Sequence, residues 1–485
     1  MAAHIRSGIL TENLSSEVQA GKATDNIMVS LVLRPRPMFR SLFAVLLIWA
    51  MTVQPVMAQS ILRDAETEAL FNEMSLPLIK AAGLDPRNVR IVLIGDKSVN
   101  AFTAGGQDVY IHSGLLAAAD NANEVQGVIA HELGHVAGGH VLRSSEGIKQ
   151  ATGIMLLSLL LGAAAIAAGA GDAGAGILGA GQQVAISKFL AFTRVQEATA
   201  DSAAQTYLTT MGISGKGMIS FFKKLQGLEF RYGATTEDSF ASDHPVTGDR
   251  IAILQDKFAA DPAWNKPTDP ALEARFQRVK AKLQGFVSDP ADTLRDFPES
   301  NTSVPAHYAR AYAWHRSAYP DKAMEEANAL LRAVPGDPYF LELKGQILLE
   351  SGKPAEALPL LREAVAKTNA QPLIASLFGH ALIATEDQAN FVEAEKVLKA
   401  SVTKDNENPF AWYQLGVVYD REGDAPRAAM ATAERYHLEG QPRLALVNAE
   451  MAVRGLPQGT PDWIRAQDIA IVSRTAAENE KRKRR

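Results

Sequence analysis

Small residues recur at a regular interval through the second half of this 485-residue sequence. Four alanines are spaced 34, 37 and 34 residues apart, and three glycines precede the last three alanines by twelve to fifteen residues: Ala323, Ala357, Ala394 and Ala428, with Gly345, Gly379 and Gly416. Small residues at fixed points of an Ala/Leu-rich sequence let two helices pack closely, so the period predicts helix pairs stacked into a solenoid. The alternative is an irregular helical bundle.

One unit of this array carries a known repeat pattern. The pattern W-x2-L-G-x2-Y is filled at four positions, namely Trp412, Leu415, Gly416 and Tyr419. Residues 305–480 therefore resemble a tetratricopeptide repeat domain. The 37-residue interval implies a three-residue insertion near residues 386–388, and Ala445 departs from the repeat by following at half spacing. Such arrays form concave surfaces that bind protein partners.

A second motif lies in the first half of the chain. His131, Glu132 and His135 fit H-E-x-x-H within a segment whose apolar residues recur at helical spacing. Residues four apart share a helix face, so both imidazoles can bind one metal ion while Glu132 reaches a water beside it. This pattern indicates a zinc-dependent peptidase. The alternative is a core helix with two hydrogen-bonded histidines, which would leave several buried polar groups to satisfy.

A catalytic zinc takes three protein ligands and keeps one position for water. The chain has no cysteine, so the third ligand must be a histidine or a carboxylate. Glu197 is the better candidate, because E-x-x-x-D places Asp201 one turn further on the same helix face, where it can accept the second ring N–H of a ligand histidine. His140 misses the position that would extend the motif, which holds Val141, and Glu146 lacks a supporting acid.

The first 60 residues have the pattern of an export signal. Arginines precede an apolar run over residues 42–53, and Val56-Met57-Ala58 then supplies small or short side chains at the positions that a signal peptidase reads. The pattern predicts a secretory signal peptide over residues 1–58, with Met28 and Met38 as alternative start residues.

Residues 150–171 carry no charge, and the Ala/Gly-rich composition continues to about residue 185. The segment is long enough to cross a bilayer, but Gly and Ala dominate its second half and Asp172 interrupts it. We expect residues 150–185 to form a helical hairpin that packs over the active site or makes contact with a membrane surface. A membrane span is the less favoured alternative. The net charge of −5 gives no reason to expect nucleic-acid binding.

Taken together, the His131-Glu132-x-x-His135 and Glu197-x-x-x-Asp201 motifs resemble the M48 family of gluzincin metallopeptidases. The export signal and the repeats are similar to one group of that family, the periplasmic beta-barrel assembly-enhancing proteases. Two further segments match the group: residues 100–102 before a Gly-Gly turn, and Ser242-Asp243-His244-Pro245 with Arg250.

The resemblance implies one Zn²⁺ per chain, bound by His131, His135 and Glu197, with Glu132 as general base and Asp201 orienting a ligand. It also implies that His244 approaches the zinc at rest or stabilises the oxyanion in turnover. The implied location is the periplasm. Unfolded or misassembled proteins would be the substrates, and the repeat domain would bind the outer-membrane assembly machinery.

A strand before the motif helix is a candidate for substrate recognition. Val109, Tyr110 and Ile111 follow the Gly105-Gly106 turn in a run that is typical of a strand. An edge strand at this place can pair with a peptide backbone without selecting its sequence. The alternative is that the hairpin serves only as scaffold.

These observations predict an α+β, mainly α architecture. Along the chain we expect a signal peptide (1–58), a zinc metallopeptidase domain with a small sheet (59–258), a proline-rich linker with a connecting helix (259–304), a tetratricopeptide solenoid (305–480) and a solvated, disordered basic tail (481–485). Two functions stay open: an endopeptidase of the cell envelope, and a chaperone or adaptor for outer-membrane protein assembly with proteolysis secondary. A non-hydrolytic zinc protein would leave Glu132 idle.

Overall fold

The computed structural model describes residues 61–168, 170–232 and 244–483. The predicted signal peptide lies outside these residues, as do Ser242 and Asp243. In the described part, a helical domain with one small sheet is followed by stacked helix pairs. The predicted fold class, mainly α with a tetratricopeptide-type solenoid, is confirmed.

The sheet has four described strands in the order β1-β2-β4-β3: β1 (Ile61–Leu62), β2 (Ile91–Ile94), β3 (Ala101–Ala104) and β4 (Asp108–His112). β2 and β4 are parallel, whereas the β1–β2 and β3–β4 pairs are antiparallel. The β3–β4 hairpin turns at Gly105 and Gly106, whose φ angles of 65° and 119° are in the range that favours glycine.

This strand order corrects the prediction of a substrate-binding edge. Val109, Tyr110 and Ile111 lie in β4, which pairs with β2 on one side and β3 on the other. Their backbone groups are therefore engaged within the sheet, and the prediction that they pair with substrate is wrong. The edge strand next to β4 in the described sheet is β3.

The first domain is built around one buried helix. Its described helices are α1 (Ala65–Ala81), α2 (Ser113–Ala118), α3 (Ala122–Gly138), α4 (His140–Ala167), α5 (Gly171–Thr210), α6 (Lys216–Tyr232), α7 (Gly248–Ala259) and α8 (Pro270–Val287). The side chain of Asn121 caps α3 by accepting from the Glu124 amide at 3.0 Å. Val125, Val128 and Ile129 of α3 are fully buried, so the motif helix lies in the interior.

Helices α4 and the first half of α5 form the predicted hairpin, but they do not pack over the active site. Of the described residues between 150 and 185, those that are buried are Gly162, Gly174 and Ala185. Most of the large side chains of the hairpin are exposed instead. Among the described helices, α4 is the one long and apolar enough to cross a membrane.

The segment predicted as a linker is part of the first domain. Leu272, Phe276 and Val279 of α8 belong to the same hydrophobic core as the sheet and α3. Pro270 and Pro290, which favoured a linker, instead occupy the first turns of α8 and of α9 (Pro290–Asp296). Proline is tolerated there because the first N–H groups of a helix have no intrahelical partner.

The repeat domain consists of paired helices: α10 (Val304–Arg316), α11 (Pro320–Ala333), α12 (Pro338–Glu350), α13 (Pro354–Lys367), α14 (Pro372–Ala384), α15 (Phe391–Lys404), α16 (Pro409–Arg421), α17 (Ala425–Leu438), α18 (Pro442–Gly455) and α19 (Pro461–Lys483). A Cβ added to Gly345 would lie 2.6 Å from Leu361, and one added to Gly379 would lie 2.6 Å from Leu398. These glycines therefore permit the close helix contacts that the period predicted.

Two details of this domain refine the sequence prediction. The expected insertion forms a 3-10 turn at Gln388–Asn390, between α14 and α15. The basic tail is not disordered throughout, because α19 continues to Lys483.

A buried polar network joins the two domains. Glu66 of α1 accepts a hydrogen bond from Tyr308 Oη at 2.7 Å, and Lys282 of α8 pairs with both Asp64 and Glu66. Glu342 of α12 shares the lining of a cavity of about 270 Å³ with Asp64 and Lys282.

Candidate metal centre

Four nitrogen and oxygen donors converge beside α3. His131 and His135 come from α3, Glu197 from α5, and His244 from the segment before α7. His131 Nε2 lies 3.1 Å from His135 Nε2 and 3.4 Å from His244 Nδ1. The Glu197 carboxylate lies 3.4 Å from the Nε2 atoms of both α3 histidines and 3.1 Å from His244 Nδ1. All four residues are buried.

These separations fit a tetrahedral metal site. Zinc binds His nitrogen and carboxylate oxygen at about 2.0–2.1 Å, so neighbouring ligand atoms of a tetrahedron lie about 3.3 Å apart. The donor separations of 3.1–3.4 Å are close to that length. Three imidazoles and one carboxylate also form a donor set that zinc accepts. The residues present therefore fit the metal that the sequence motif calls for.

A close helix contact brings Glu197 to the histidines. Gly134 lies between the two α3 histidines, and a Cβ added to it would sit 2.7 Å from the Ala200 carbonyl oxygen of α5. The glycine therefore lets α5 approach the face of α3 that carries the imidazoles. Glu197 and Asp201, one turn apart on α5, are both turned into this contact and buried.

Comparison with known proteins agrees with this geometry. Residues 62–257 match peptidase family M48. These residues form an M48 peptidase domain. The beta-barrel assembly-enhancing protease of Yersinia pestis is 26% identical to the chain over 362 residues, which cover 72% of this chain and 71% of that protein. The metalloprotease LoiP of Escherichia coli (strain K12) is 33% identical over 178 residues, which cover 36% of this chain and 64% of that protein.

A solved structure resembles the chain more distantly. It is described as YrrB, a TPR protein with an unusual peptide-binding site, and it is 21% identical with a TM-score of 0.30. The match covers 36% of this chain and 92% of that one. The assignment of the repeat domain rests on the helix pairs described above. The M48 domain makes the chain a metalloendopeptidase, as its motifs predicted.

The second ring nitrogens of the α3 histidines of the M48 domain also face polar partners. His131 Nδ1 lies 3.0 Å from Asp201 Oδ1, and His135 Nδ1 lies 3.1 Å from His140 Nδ1. Such partners select the ring tautomer and hold the ring plane of a metal ligand. Asp201 lies where the sequence predicted it, beside the second ring nitrogen of a candidate metal ligand. His140, which misses the position that would extend the motif, lies outside the donor cluster but contacts His135.

Arg250 of α7 is a further part of this arrangement. Its Nε and Nη2 donate to the two carboxylate oxygens of Asp201, both at 2.8 Å, and its Nη1 lies 3.1 Å from Glu197 Oε2. Nη1 also donates to the Pro245 carbonyl at 2.6 Å, beside His244. The sequence offered Arg250 only as part of a family pattern, because nothing local connects it with a carboxylate 49 residues away.

Glu132 lies on α3 beside the donors but outside their set. It is fully buried, and its Oε1 is 3.5 Å from His244 Nε2. His244 therefore faces the donor cluster with one ring nitrogen and Glu132 with the other. The weaker third-ligand candidate, Glu146, is exposed on α4 and does not join the cluster.

The charges of the cluster suit a cation. Burial lowers the pKa of His131, but hydrogen bonds to Asp201 and Glu197 outweigh burial and raise it to about 10. Burial, together with the charges of His131 and His244, holds the pKa of His135 well below its usual range. Burial alone would raise the pKa of Glu197, yet hydrogen bonds from His131 and His244 hold it well below its usual range. A metal requires a carboxylate and neutral imidazoles, which are the forms favoured at Glu197 and His135, whereas a metal at His131 displaces the proton that the neighbouring carboxylates favour there.

Proposed function

We propose that this chain is a zinc-dependent endopeptidase of the cell envelope. The observation that carries the proposal is the meeting of His131, His135 and Glu197 at ligand separations, with Glu132 buried next to them. Three such ligands and a neighbouring carboxylate are the parts of a catalytic zinc site that hydrolyses peptide bonds.

The protein groups have distinct roles in the proposed reaction. Bound zinc would acidify a water and polarise the scissile carbonyl. Glu132 takes a proton from the attacking water and returns it to the leaving amine. Asp201 holds His131 in the tautomer whose Nε2 is free for the metal, and Arg250 fixes Asp201.

His244 regulates access to the site in this proposal. Its Nδ1 lies within the donor cluster at 3.1 Å from Glu197, so it completes a four-donor set. A catalytic site needs one position open for water and substrate. His244 must therefore leave the cluster before turnover.

The β3 strand is the proposed place of substrate pairing. It is the strand at one side of the described sheet, and it precedes β4 and the motif helix in the chain. A peptide added antiparallel to an edge strand is held by backbone hydrogen bonds, which suits substrates of varied sequence.

The proposed substrates are misassembled outer-membrane proteins in the periplasm. The similarity to proteins named beta-barrel assembly-enhancing protease supports this substrate class, and the signal-like sequence at residues 1–58 supports the location. The repeat domain would hold clients or the assembly machinery, because stacked helix pairs provide an extended concave surface.

A pair of variants tests the endopeptidase. Glu132→Gln keeps the side-chain shape but removes the base, so zinc content should stay near one per chain while peptidase activity falls by a factor of about a thousand or more. Glu146→Gln, on an exposed face of α4, should retain both. Normal cleavage by Glu132→Gln would disprove the mechanism.

A chaperone or adaptor is the second candidate. The described helices α10–α19 form a large domain that contributes no residue to the metal cluster, and Phe410 and Tyr413 are exposed on α16. Complementation of a deletion strain distinguishes the two functions. Rescue by Glu132→Gln would favour the adaptor, whereas loss of rescue together with normal protein levels would favour the peptidase.

A further inference from the structure

The two arms of the α4–α5 hairpin contact each other through their smallest residues. A Cβ added to Gly174 would lie 2.4 Å from the Ile166 side chain and 2.7 Å from the Gly162 carbonyl oxygen. Further along, a Cβ on Gly181 would lie 2.0 Å from Ser158 Cβ. The backbones of the two arms are therefore in close contact at these positions. Helix pairs in lipid use this kind of packing, because small residues there allow close contact while large apolar residues face the lipid.

Most of the large apolar side chains of the hairpin face outward. The most exposed stretch runs along α4, and α5 adds a second row: Leu156, Leu157, Leu159, Leu160 and Leu161, with Val184, Ile186, Phe189 and Leu190. A helix pair made for water buries its leucines and exposes small or polar residues. The hairpin has the opposite arrangement, and continuous apolar surface of this size marks a contact with protein or membrane.

Length and charge distinguish between these two partners. The uncharged part of α4, residues 150–167, extends about 27 Å along the helix axis, close to the roughly 30 Å of a bilayer hydrocarbon core. Asp172 lies at the turn between the arms. Lys149 and Lys188 are exposed at the other end, where they lie at nearly the same level because Gly147 contacts Phe192 across the arms. Exposed cations at this level match anionic lipid headgroups.

The same end of the hairpin leads directly into the metal centre. Glu197 follows Lys188 by nine residues on the continuous helix α5, a distance of about 14 Å along the axis. The other arm, α4, begins at His140, which contacts His135. Any surface that holds the hairpin at its lysines therefore also fixes the distance of the metal centre from that surface.

We infer that the α4–α5 hairpin inserts into a lipid bilayer, with Lys149 and Lys188 at the headgroups and the turn at Asp172 towards the opposite side. The bilayer holds the metal centre about 14 Å from the headgroup level. If the proposed peptidase function is also correct, on which this last step rests, the enzyme cleaves polypeptides at the membrane surface in preference to free ones.

Vesicle flotation of the purified full chain tests insertion without requiring catalysis. The chain should float with vesicles of phosphatidylethanolamine and phosphatidylglycerol, and Glu132→Gln should float equally well. The double variant Leu157→Asp/Leu160→Asp should partition about a hundredfold less, because carboxylates are costly within the hydrocarbon region. The matched control Leu444→Asp/Val447→Asp changes exposed apolar residues of α18 and should float normally.

The absence of cysteine in the sequence permits a second, site-specific measurement. A polarity-sensitive dye on Leu160→Cys should report a hydrocarbon environment when vesicles are added, whereas the same dye on Val447→Cys should remain in water. A water-like signal at Leu160→Cys with bound vesicles would overturn insertion. Failure of the chain to float would overturn membrane binding, and lipid-independent self-association abolished by Leu157→Asp/Leu160→Asp would assign the surface to a second copy.

Cleavage assays separate this inference from the proposed peptidase. A vesicle-tethered peptide should be cleaved at least about tenfold faster than the same peptide free in solution, and the hairpin variant should lose that preference while keeping the solution rate. Inactivity on both peptides with normal flotation would count against the peptidase alone. Equal rates with normal flotation would remove the surface preference.

Discussion

Arg250 donates two parallel hydrogen bonds to Asp201, from Nε to Oδ2 and from Nη2 to Oδ1, both at 2.8 Å. Asp201 in turn lies 3.0 Å from His131 Nδ1. The arginine thus connects α7 with a histidine of the motif helix through one carboxylate. Since Nη1 also donates to the Pro245 carbonyl, the same side chain holds the segment that carries His244.

This connection predicts the effect of a conservative substitution. Arg250→Lys keeps the charge but cannot form the planar pair of bonds, so Asp201 and His131 should lose their fixed orientation. We expect zinc affinity to fall about tenfold to a hundredfold in competition with a chelator. Arg275→Lys is the control, because Arg275 forms a similar pair with Glu73 on the surface. Unchanged zinc affinity in Arg250→Lys would show that the orientation of Asp201 does not depend on the arginine.

The position of His244 predicts an activating variant. His244→Ala removes the fourth donor from the cluster and opens a coordination position, so the basal rate on a short peptide should rise several-fold while zinc remains bound. His437→Ala, on the exposed side of α17, should leave the rate unchanged. A lower rate in His244→Ala would assign the histidine to oxyanion stabilisation, and an unchanged rate would exclude both roles.

The sequence predicts those parts of the site that depend on local spacing. The pair His131 and His135, and the pair Glu197 and Asp201, each lie one helical turn apart, so their shared faces follow from the helix period. His140 is not predicted to be a zinc ligand, and the donor cluster does not include it. Its contact with His135 was not predictable from a motif helix that continues through residue 140. In the structure Gly139 has a φ of 63°, which ends α3 and starts α4 in a new direction. The Gly-Gly pair before His140 was the available signal.

Features that depend on long-range pairing were not predictable in this way. The two runs that flank the Gly105-Gly106 turn identify β3 and β4 as strands, but they do not reveal that β2 pairs in parallel with β4 and leaves β3 at the side of the sheet. A parallel pair requires a connection that passes over the sheet, which no local pattern records. Similarly, prolines mark both linkers and first helical turns, so the core packing of Phe276 in α8 became evident only in the structure.

The corrected strand order predicts which backbone N–H binds substrate. In β3, Phe102 is opposite Tyr110, and the Asn100 carbonyl accepts a hydrogen bond from the His112 amide. Backbone groups of an antiparallel strand point alternately towards and away from the partner strand, so those of Ala101 and Thr103 point away from β4. Thr103→Pro removes one outward N–H without removing a bond to β4. We expect kcat/KM for an unfolded protein substrate to fall about fivefold or more, since a backbone hydrogen bond contributes about 1 kcal/mol.

Thr103→Val is the matched control for this strand, because it has nearly the same shape and keeps the N–H. It should cleave the unfolded substrate at the normal rate. Equal loss in both variants would indicate a side-chain effect, and normal kcat/KM in a folded Thr103→Pro protein would exclude β3 as the substrate-pairing strand.

The junction between the two domains should make stability depend on pH. Burial raises the pKa of Glu342 to about 8, and the neighbouring Asp64 and Glu66 add to the shift although Lys282 opposes it. In the unfolded chain the carboxyl has its ordinary pKa near 4.5. The folded state therefore keeps the proton at a pH where the unfolded state has lost it, so this group's contribution to stability is complete below about pH 4.5 and is lost progressively as the pH rises to about 8.

Glu342→Gln mimics the protonated carboxyl at every pH and should remove this dependence. Its free energy of unfolding should match that of the parent protein at low pH and exceed it increasingly towards pH 8. The reason is that folding of the parent at higher pH requires Glu342 either to bind a proton or to bury its charge, whereas the glutamine requires neither. Urea unfolding at several pH values measures the difference. Glu356→Gln, on the exposed side of α13, should follow the parent at each pH. A constant difference between Glu342→Gln and the parent would show that Glu342 titrates normally and that the junction does not sense pH through this carboxyl.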